Sequence, residues 1–192
     1  MAIVVVGGQT RNVGKTSVVA GLIRALPEVP WVAFKVTHHW HEAVSGDEPA
    51  FAVLEEREGG AGSDSARYLQ AGAVRSFWVR TREGRMAEAM PWLQAEFARA
   101  QAAGQQVIVE SNSILEFVRP DVYLTVIDPT VEDCKESARR YLERANAVLV
   151  AGLSGLSGGM EGVEGRPRFA MRPPEYVTAE VADFVRARLR GV

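Results

Sequence analysis

Residues 7–17 read Gly7-Gly8-Gln9-Thr10-Arg11-Asn12-Val13-Gly14-Lys15-Thr16-Ser17. The segment follows the apolar run Ala2–Val6 and precedes apolar residues at helical spacing, so we predict that it joins a strand to a helix. Glycines in such a turn let backbone N–H groups point at an anion, and the helix N-terminus adds partial positive charge. The segment therefore predicts a loop that binds phosphate groups.

Each position of this loop is a candidate nucleotide contact. We expect Lys15 to reach the β- and γ-phosphates of a nucleotide and the Thr16 hydroxyl to ligate Mg²⁺. Five residues separate Gly8 from Gly14, so Gln9 stands where such loops usually carry a glycine. The alternative is a glycine-rich turn without a ligand. The predicted nucleotide-binding residues are Gly8, Gln9, Thr10, Arg11, Asn12, Val13, Gly14, Lys15, Thr16 and Ser17.

The rest of the chain alternates short apolar runs with longer helical patterns. Runs that are apolar throughout suit strands buried on both faces of a parallel sheet. The predicted strands are Ala2–Val6, Trp31–Val36, Val74–Val79, Gln106–Glu110, Asp121–Asp128, Ala147–Ala151 and Arg168–Met171. The predicted helices cover Val18–Leu26, Ser65–Ala71, Arg85–Ala103, Glu132–Ala145 (with Thr130 as its N-cap) and the residues after Thr178. This alternation predicts a three-layer α/β fold with a mostly parallel central sheet flanked by helices.

The length of 192 residues suits one domain, and we expect residues 1–192 to form a single nucleotide-binding domain. Two stretches, 42–63 and 152–166, are predicted as long loops. Both follow predicted strands, where open α/β sheets bind their ligands. Loops of this length in a compact domain are usually functional or mobile.

The composition excludes several classes of partner. Lys and Arg total 22 against 24 Asp and Glu, a net charge of −2, which argues against nucleic acid or an anionic membrane as partner. One cysteine forbids an internal disulfide. The N-terminal apolar run is too short for a signal peptide, and no run reaches the roughly 18 to 20 apolar residues of a spanning helix. We therefore expect a cytoplasmic location.

Lysine is rare, with three against nineteen arginines. Lys35 lies inside the apolar run 31–37, where a buried ammonium group needs a partner or a ligand. Strand alternation places Lys35 and Thr37 on the side that His39 and His41 share. Lys135 is expected to be an exposed helix residue.

Three interpretations of the histidines His38, His39 and His41 stay open. The strand end supplies a cation and hydrogen-bond donors to a phosphate or substrate; or His39 and His41 form a metal site with Glu42 or Asp47; or the segment is a polar loop end without a ligand.

Three acidic residues are candidate Mg²⁺ ligands, because carboxylates at strand ends and loop bases usually hold the metal of a nucleotide. Glu110 ends an apolar strand, and Asp128 ends another and competes with it. Asp64 opens a predicted helix, which it is equally suited to cap.

Taken together, these motifs resemble the dethiobiotin-synthetase-like branch of P-loop NTPases, and more closely the molybdopterin-guanine dinucleotide biosynthesis protein B (MobB) family. The spacing that ends in Val13–Thr16 is similar to the loop of dethiobiotin synthetase. Residues 34–39, then 62–65 and 70–73, resemble the MobB family, and Val109-Glu110 matches both groups.

The resemblance implies that Thr16, Asp64 and Glu110 surround Mg²⁺ and that Lys15 and Lys35 act on phosphates as catalytic residues. The chain departs from both groups after Glu110, where they have glycine and it has Ser111-Asn112-Ser113.

The implied function is binding and slow hydrolysis of GTP or ATP by a homodimeric adaptor, with a molybdenum-cofactor biosynthesis protein as partner. In a dimer, Arg11 would reach the phosphates of its own or the facing subunit. The alternative is an ATP-dependent small-molecule ligase or kinase of the dethiobiotin synthetase type, which needs an acceptor pocket that no sequence motif marks.

Overall fold

The computed structural model describes residues 1–38, 49–57, 62–152 and 162–190. The strands within these ranges are β1 Ile3–Gly8, β2 Trp31–Thr37, β3 Phe51–Glu56, β4 Arg75–Thr81, β5 Gln106–Glu110, β6 Val122–Ile127, β7 Ala147–Ala151 and β8 Arg168–Met171. They form one sheet in the order β3-β4-β2-β5-β1-β6-β7-β8. Every neighbouring pair is parallel except β3 with β4.

Helices cover both faces of the sheet. They are α1 Lys15–Ala25, α2 Asp64–Gln70, α3 Met86–Ala102, α4 Glu136–Arg139 and α5 Ala179–Leu189, with 3-10 turns at Ser113–Glu116 and Leu142–Arg144. The side chains of successive residues of β1 point to opposite faces of the sheet. Val4 and Val6 pack with buried residues of α1, α2 and α5, while Val5 packs with those of α3. The three-layer fold with a mostly parallel sheet is confirmed.

The prediction of one long helix over Glu132–Ala145 is wrong. Only the four residues of α4 and a following 3-10 turn are helical, and Thr130 does not cap a helix. Its N–H and hydroxyl instead bond to Asp128 Oδ1, at 2.9 and 2.7 Å. The N–H of Lys135 donates to the carbonyl of Gln9 at 2.9 Å. Contacts with the loop after β1 therefore replace the helical hydrogen bonds in this segment.

Part of the predicted loop 42–63 is the edge strand β3. It pairs antiparallel with β4, with Leu54 opposite Trp78. Glu55 accepts a hydrogen bond from Arg75 at 2.9 Å, so an acidic residue of β3 is anchored to the neighbouring strand. Of the two predicted loops, residues 42–48, 58–61 and 153–161 lie outside the described residues.

The helix α3 continues through Pro91 without a break. Within the described part of the chain, no helix is both long enough and apolar enough to cross a membrane.

Candidate functional site

A cavity of about 680 Å³ opens at the carboxyl ends of β1, β2 and β5. In parallel sheets these ends meet at one edge, which is why residues far apart in sequence surround one space. The predicted site residues that line the cavity are Arg11, Asn12, Gly14, Lys15, Thr16, Ser17, Lys35, Asp64 and Glu110. The other predicted contacts, Gly8, Gln9, Thr10 and Val13, do not line it.

The loop between β1 and α1 has the left-handed residues that the turn requires. Gly14 has φ of 102° and precedes the first helical residue, and Asn12 has φ of 61°. A Cβ atom on Gly14 would also lie 2.8 Å from Cε1 of Tyr176. Any other residue at this position would therefore have a strained backbone and would clash with Tyr176. The N-terminus of α1, with its partial positive charge, consequently faces the cavity.

Asn112 fixes the beginning of this loop. Its side chain accepts a hydrogen bond from the N–H of Gly8 and donates one to the carbonyl of the same residue, both at 2.8 Å. A Cβ on Gly7 would approach Asn112 Oδ1 to 2.3 Å, so the amide and the glycine fit each other. Asn112, one of the three residues that stand after Glu110 where the resembling families have glycine, thus supports the loop.

Gln9 explains how the loop does without a glycine at its second position. Its backbone N–H donates to the carbonyl of Val126 at 2.9 Å, and its side-chain oxygen accepts from the N–H of Asp128 at 3.0 Å. The side-chain amide donates to the carbonyl of Val131. Because the Asp128 carboxylate bonds within its own turn, the structure brings Glu110, and not Asp128, to Thr16.

The three predicted Mg²⁺ ligands meet at one cation, the ammonium group of Lys35. Lys35 Nζ lies 3.1 Å from Glu110 Oε1 and 3.3 Å from Thr16 Oγ1, and it forms an ion pair with Asp64. The Thr16 hydroxyl donates to Glu110 Oε2 at 2.8 Å. The Lys35 side chain is 14% exposed and that of Glu110 8%, so this is a largely desolvated arrangement.

Asp64 is the first residue of α2 and forms an ion pair with Lys35, while Ser63 before it caps the helix. The Ser63 hydroxyl, and not Asp64, caps α2 by accepting from the N–H of Ala66 at 3.0 Å. Burial by itself would raise the pKa of Asp64, but the hydrogen bond and charge of Lys35 hold that pKa below its usual value. The Asp64 carboxylate is therefore ionised at neutral pH and faces the cavity.

Tyr68 is a site residue that the sequence pattern did not reveal. It lies on the apolar face of α2, is fully buried, and its hydroxyl donates to Glu110 Oε2. Burial and the Glu110 carboxylate raise the pKa of Tyr68 well above 10, so the phenol keeps its proton and holds Glu110 in place. A tyrosine at helical spacing among apolar residues is indistinguishable from a core residue, because the partner comes from another strand.

All three lysines of the chain line this cavity. Lys15 donates to the carbonyl of Thr10, and burial lowers the pKa of Lys15 to about 8. The expectation of an exposed helical Lys135 is wrong: the residue precedes α4 and is half-buried. Burial, and next the charge of Arg11, lower the pKa of Lys135. The rarity of lysine was the signal that could have identified it.

Among the histidines, the structure describes His38. This residue is half-buried at the cavity wall, and its Nδ1 lies 2.8 Å from Thr81 Oγ1. His39, His41, Glu42 and Asp47, the residues of the proposed metal site, lie outside the described residues. In the described ranges, no group of three or more His, Cys, Asp or Glu side chains is arranged to hold a metal ion.

The strand order, the glycine-rich loop after β1 and the helix that starts at Lys15 define the P-loop NTPase fold. HypB from Helicobacter pylori in complex with nickel has a TM-score of 0.54 and 13% identity, covering 98% of this chain and 87% of that one. The apo form of LpxK from Aquifex aeolicus in complex with ATP has a TM-score of 0.51 and 16% identity, covering 90% of this chain. The chain spans 54% of that LpxK structure.

MobB from Bacillus subtilis is also similar, with a TM-score of 0.43 and 17% identity over 100% of both chains. No protein-family model matches the chain, and no curated protein sequence matches it.

Proposed function

We propose that the chain binds a nucleoside triphosphate together with Mg²⁺ in this cavity and hydrolyses it slowly. The observation that carries the proposal is the convergence of two lysines, a threonine hydroxyl and two carboxylates beside the N-terminus of α1. This combination pairs cationic donors for phosphate with oxygen ligands for a hard cation in one cavity.

The phosphate side of the proposal rests on Lys15 and the loop backbone. In the free chain the Lys15 ammonium is bonded to a neutral carbonyl, that of Thr10. A phosphate oxygen is a stronger partner for the same group, because the attraction between opposite charges adds to the hydrogen bond. We therefore expect Lys15 to exchange Thr10 for the phosphates when a nucleotide binds.

The donor set of the carboxylate side fits Mg²⁺. Thr16, Asp64 and Glu110 would hold the metal, because their oxygens already surround the positive charge of Lys35 Nζ. When bound, Mg²⁺ would neutralise the charge that develops on the β- and γ-phosphate oxygens. We expect Lys35 to leave the carboxylates for the phosphates at the same time. Lys35 would then neutralise the carboxylates in the absence of nucleotide and bind the phosphates in its presence.

For the biological role, we propose an adaptor in molybdenum-cofactor maturation that uses GTP or ATP and acts as a cytoplasmic homodimer. Support comes from the sequence motifs at 34–39, 62–65 and 70–73, which resemble the MobB family. The second candidate is transfer of the phosphoryl group to a small molecule. It is favoured by the extent of the cavity, which continues past the loop to Thr37, His38 and Ser113.

Titration calorimetry and thermal unfolding with ATP, GTP and CTP, each with and without Mg²⁺, test the proposed function. A nucleotide at 100 times its Kd should stabilise the native chain by about 2.7 kcal/mol. The control is the Lys15→Met variant, which keeps the aliphatic stem but loses the charge. A wild-type chain that binds none of the three nucleotides, or binds them as well as the variant does, would contradict the proposal.

A further inference from the structure

The cavity has a wall that the phosphate loop and the metal ligands do not use. It is formed by Thr37 at the end of β2, by His38 directly after it, and by Ser111 and Ser113 after the end of β5. Since β2 and β5 are paired neighbours, with Lys35 opposite Glu110, the two segments leave the sheet side by side. Three hydroxyl groups and an imidazole thus face the space next to the cations and carboxylates.

Thr81 is the hydrogen-bond partner of His38 Nδ1. The Thr81 side chain is buried, and its hydroxyl donates its proton to the Thr37 carbonyl at 3.5 Å. With the hydroxyl proton directed at that carbonyl, the Thr81 oxygen, 2.8 Å from His38 Nδ1, accepts the proton of that nitrogen, and this is the tautomer that we assign to His38. In a neutral imidazole this arrangement leaves the lone pair on Nε2.

The surroundings of His38 keep the ring neutral. Burial lowers the pKa of His38 below its ordinary value of 6.5, the carboxylates of Glu83 and Glu116 oppose that effect, and Lys135 adds to it. The strand end that carries the ring is fixed, because Trp78 Nε1 donates to Thr37 Oγ1 at 3.0 Å. A positioned, uncharged imidazole with its lone pair on Nε2 has the properties of a proton acceptor.

We propose that this wall is an acceptor site for a small uncharged molecule with a hydroxyl group, and that Nε2 of His38 accepts the proton of that hydroxyl during phosphoryl transfer. The inference rests on the proposed function, since the nucleoside triphosphate is the phosphoryl donor. The hydroxyl oxygen forms a bond to the γ-phosphorus, and the bond from that phosphorus to the bridging oxygen breaks. The bond electrons leave with the nucleoside diphosphate, and the hydroxyl proton moves to Nε2.

The chemistry of the wall favours an uncharged acceptor with several hydroxyl groups. Ser111 and Ser113 place their hydroxyl oxygens 3.1 Å apart, and the N–H of Ile114 donates to Ser111 Oγ at 3.3 Å. Such groups exchange hydrogen bonds with a polyol and offer no charge to bind an ionised one. Water is the smallest acceptor of this class, so slow hydrolysis and transfer to a polyol are the same step with different nucleophiles.

The test compares wild type with His38→Asn, whose amide retains a donor where Nδ1 bonds Thr81 but lacks a basic nitrogen. Phosphate release in water is measured between pH 5 and 8, and transfer to glycerol is followed by ³¹P NMR. We expect the variant to lose at least about 100-fold in both rates, the range of general base catalysis. Its affinity for a non-hydrolysable triphosphate with Mg²⁺, measured by calorimetry, should change less than twofold.

The pH profile separates a chemical role of His38 from a structural one. The wild-type rate should fall as the pH drops below the pKa of His38, because Nε2 is then protonated, and the variant should lack this decline. In Thr81→Val the imidazole loses the partner of Nδ1, so the decline should move along the pH axis while nucleotide affinity stays the same. Thr81 would thereby be identified as a positioning residue.

Three results would overturn the inference. Equal rates and pH profiles in wild type and His38→Asn would remove His38 from the reaction. A chain that binds the nucleotide but releases no phosphate to water or glycerol would remove the acceptor site and leave nucleotide binding intact. A wild-type chain that binds no nucleotide in calorimetry would refute the proposed function, and with it the phosphoryl donor.

Discussion

The cavity has two parts that differ in charge: one combines carboxylates with a cation, and the other carries cations alone. The carboxylate cluster, made of Thr16, Lys35, Asp64, Tyr68 and Glu110, combines one ammonium group with two carboxylates, and its members bond to one another. The cationic rim, made of Arg11, Lys15 and Lys135, carries positive groups that lie along the same cavity.

The difference between the two parts shows where binding energy should come from. In the carboxylate cluster both carboxylates are already paired with Lys35, so a ligand gains there only by replacing one cation with another. In the cationic rim, burial and the neighbouring charge of Arg11 lower the pKa of Lys135, and a bound anion would oppose both effects. We expect the rim to govern affinity for phosphate and the cluster to govern the response to metal.

The largest expected effect is the loss of nucleotide binding in Lys15→Met. Lys15 is half-buried at the N-terminus of α1, and its hydrogen bonds to phosphate would be charge-assisted, worth about 1.5 to 3 kcal/mol each. Two such bonds predict at least a 100-fold weaker affinity in calorimetry. Thermal unfolding of the free variant serves as the folding control, and an affinity within fivefold of wild type would contradict a phosphate role for Lys15.

The second expected effect is a gain of affinity for a divalent cation when Lys35 is removed from the carboxylate cluster. In Lys35→Met the carboxylates of Asp64 and Glu110 lose their shared counter-ion, so a divalent cation should enter without a nucleotide. Electron paramagnetic resonance of free Mn²⁺ should show binding to this variant at least about tenfold tighter than to wild type, a difference of 1.4 kcal/mol.

The matched control for this comparison is Lys135→Met, which makes the same change of charge in the same cavity. Lys135 is not bonded to the carboxylates of the cluster, so its removal should leave Mn²⁺ binding close to that of wild type. If both variants gained Mn²⁺ affinity equally, the effect would be one of overall charge, and the exchange of Lys35 for the metal would be wrong.

The pH dependence of nucleotide affinity distinguishes Lys15 from the rest of the rim. The pKa of Lys15 in the free chain is about 8, and a bound phosphate raises it by favouring the charged form. Binding therefore takes up a proton above pH 8, and affinity should fall about tenfold between pH 8 and 9.5 while changing little between pH 7.5 and 8. Calorimetry in buffers of different ionisation enthalpy measures this uptake.

The control is Lys15→Arg, since arginine keeps its charge throughout this range. If that variant binds and shows the same decline above pH 8 as wild type, the titrating group is not Lys15.

Much of the fold and half of the site follow from local patterns in the sequence. The apolar runs, the glycine-rich loop and the stripe after Lys15 reflect short-range rules of strands and helices, and so the sheet was predictable. Lys35 and Glu110 were recognisable because a charge in an otherwise apolar strand has few structural explanations. Their meeting with Thr16 follows from parallel strands that end at one edge.

The residues that the sequence did not reveal depend on contacts between distant segments. Asn112 supports a glycine that lies 104 positions away, and Tyr68 bonds to a carboxylate on β5 that helical periodicity does not disclose. Lys135 was assigned to a helix because its neighbours have helical spacing, but its backbone N–H is bonded to Gln9. β3 was missed because this edge strand is short and none of its residues is buried, so its sequence lacks a clear apolar pattern.

The smallest expected effect concerns the outer part of the rim. Lys135 is half-buried at the cavity wall, and a single screened charge pair with a phosphate is worth about 1 kcal/mol or less. Lys135→Met should therefore weaken nucleotide binding about threefold at low salt and less at 0.5 M salt, where the Debye length shortens. Arg139→Met makes the same charge change on the exposed face of α4, outside the cavity wall, and should leave the affinity unchanged. Equal losses in the two variants would mean that Lys135 contributes only to the overall field, and the cationic rim would then consist of Arg11 and Lys15.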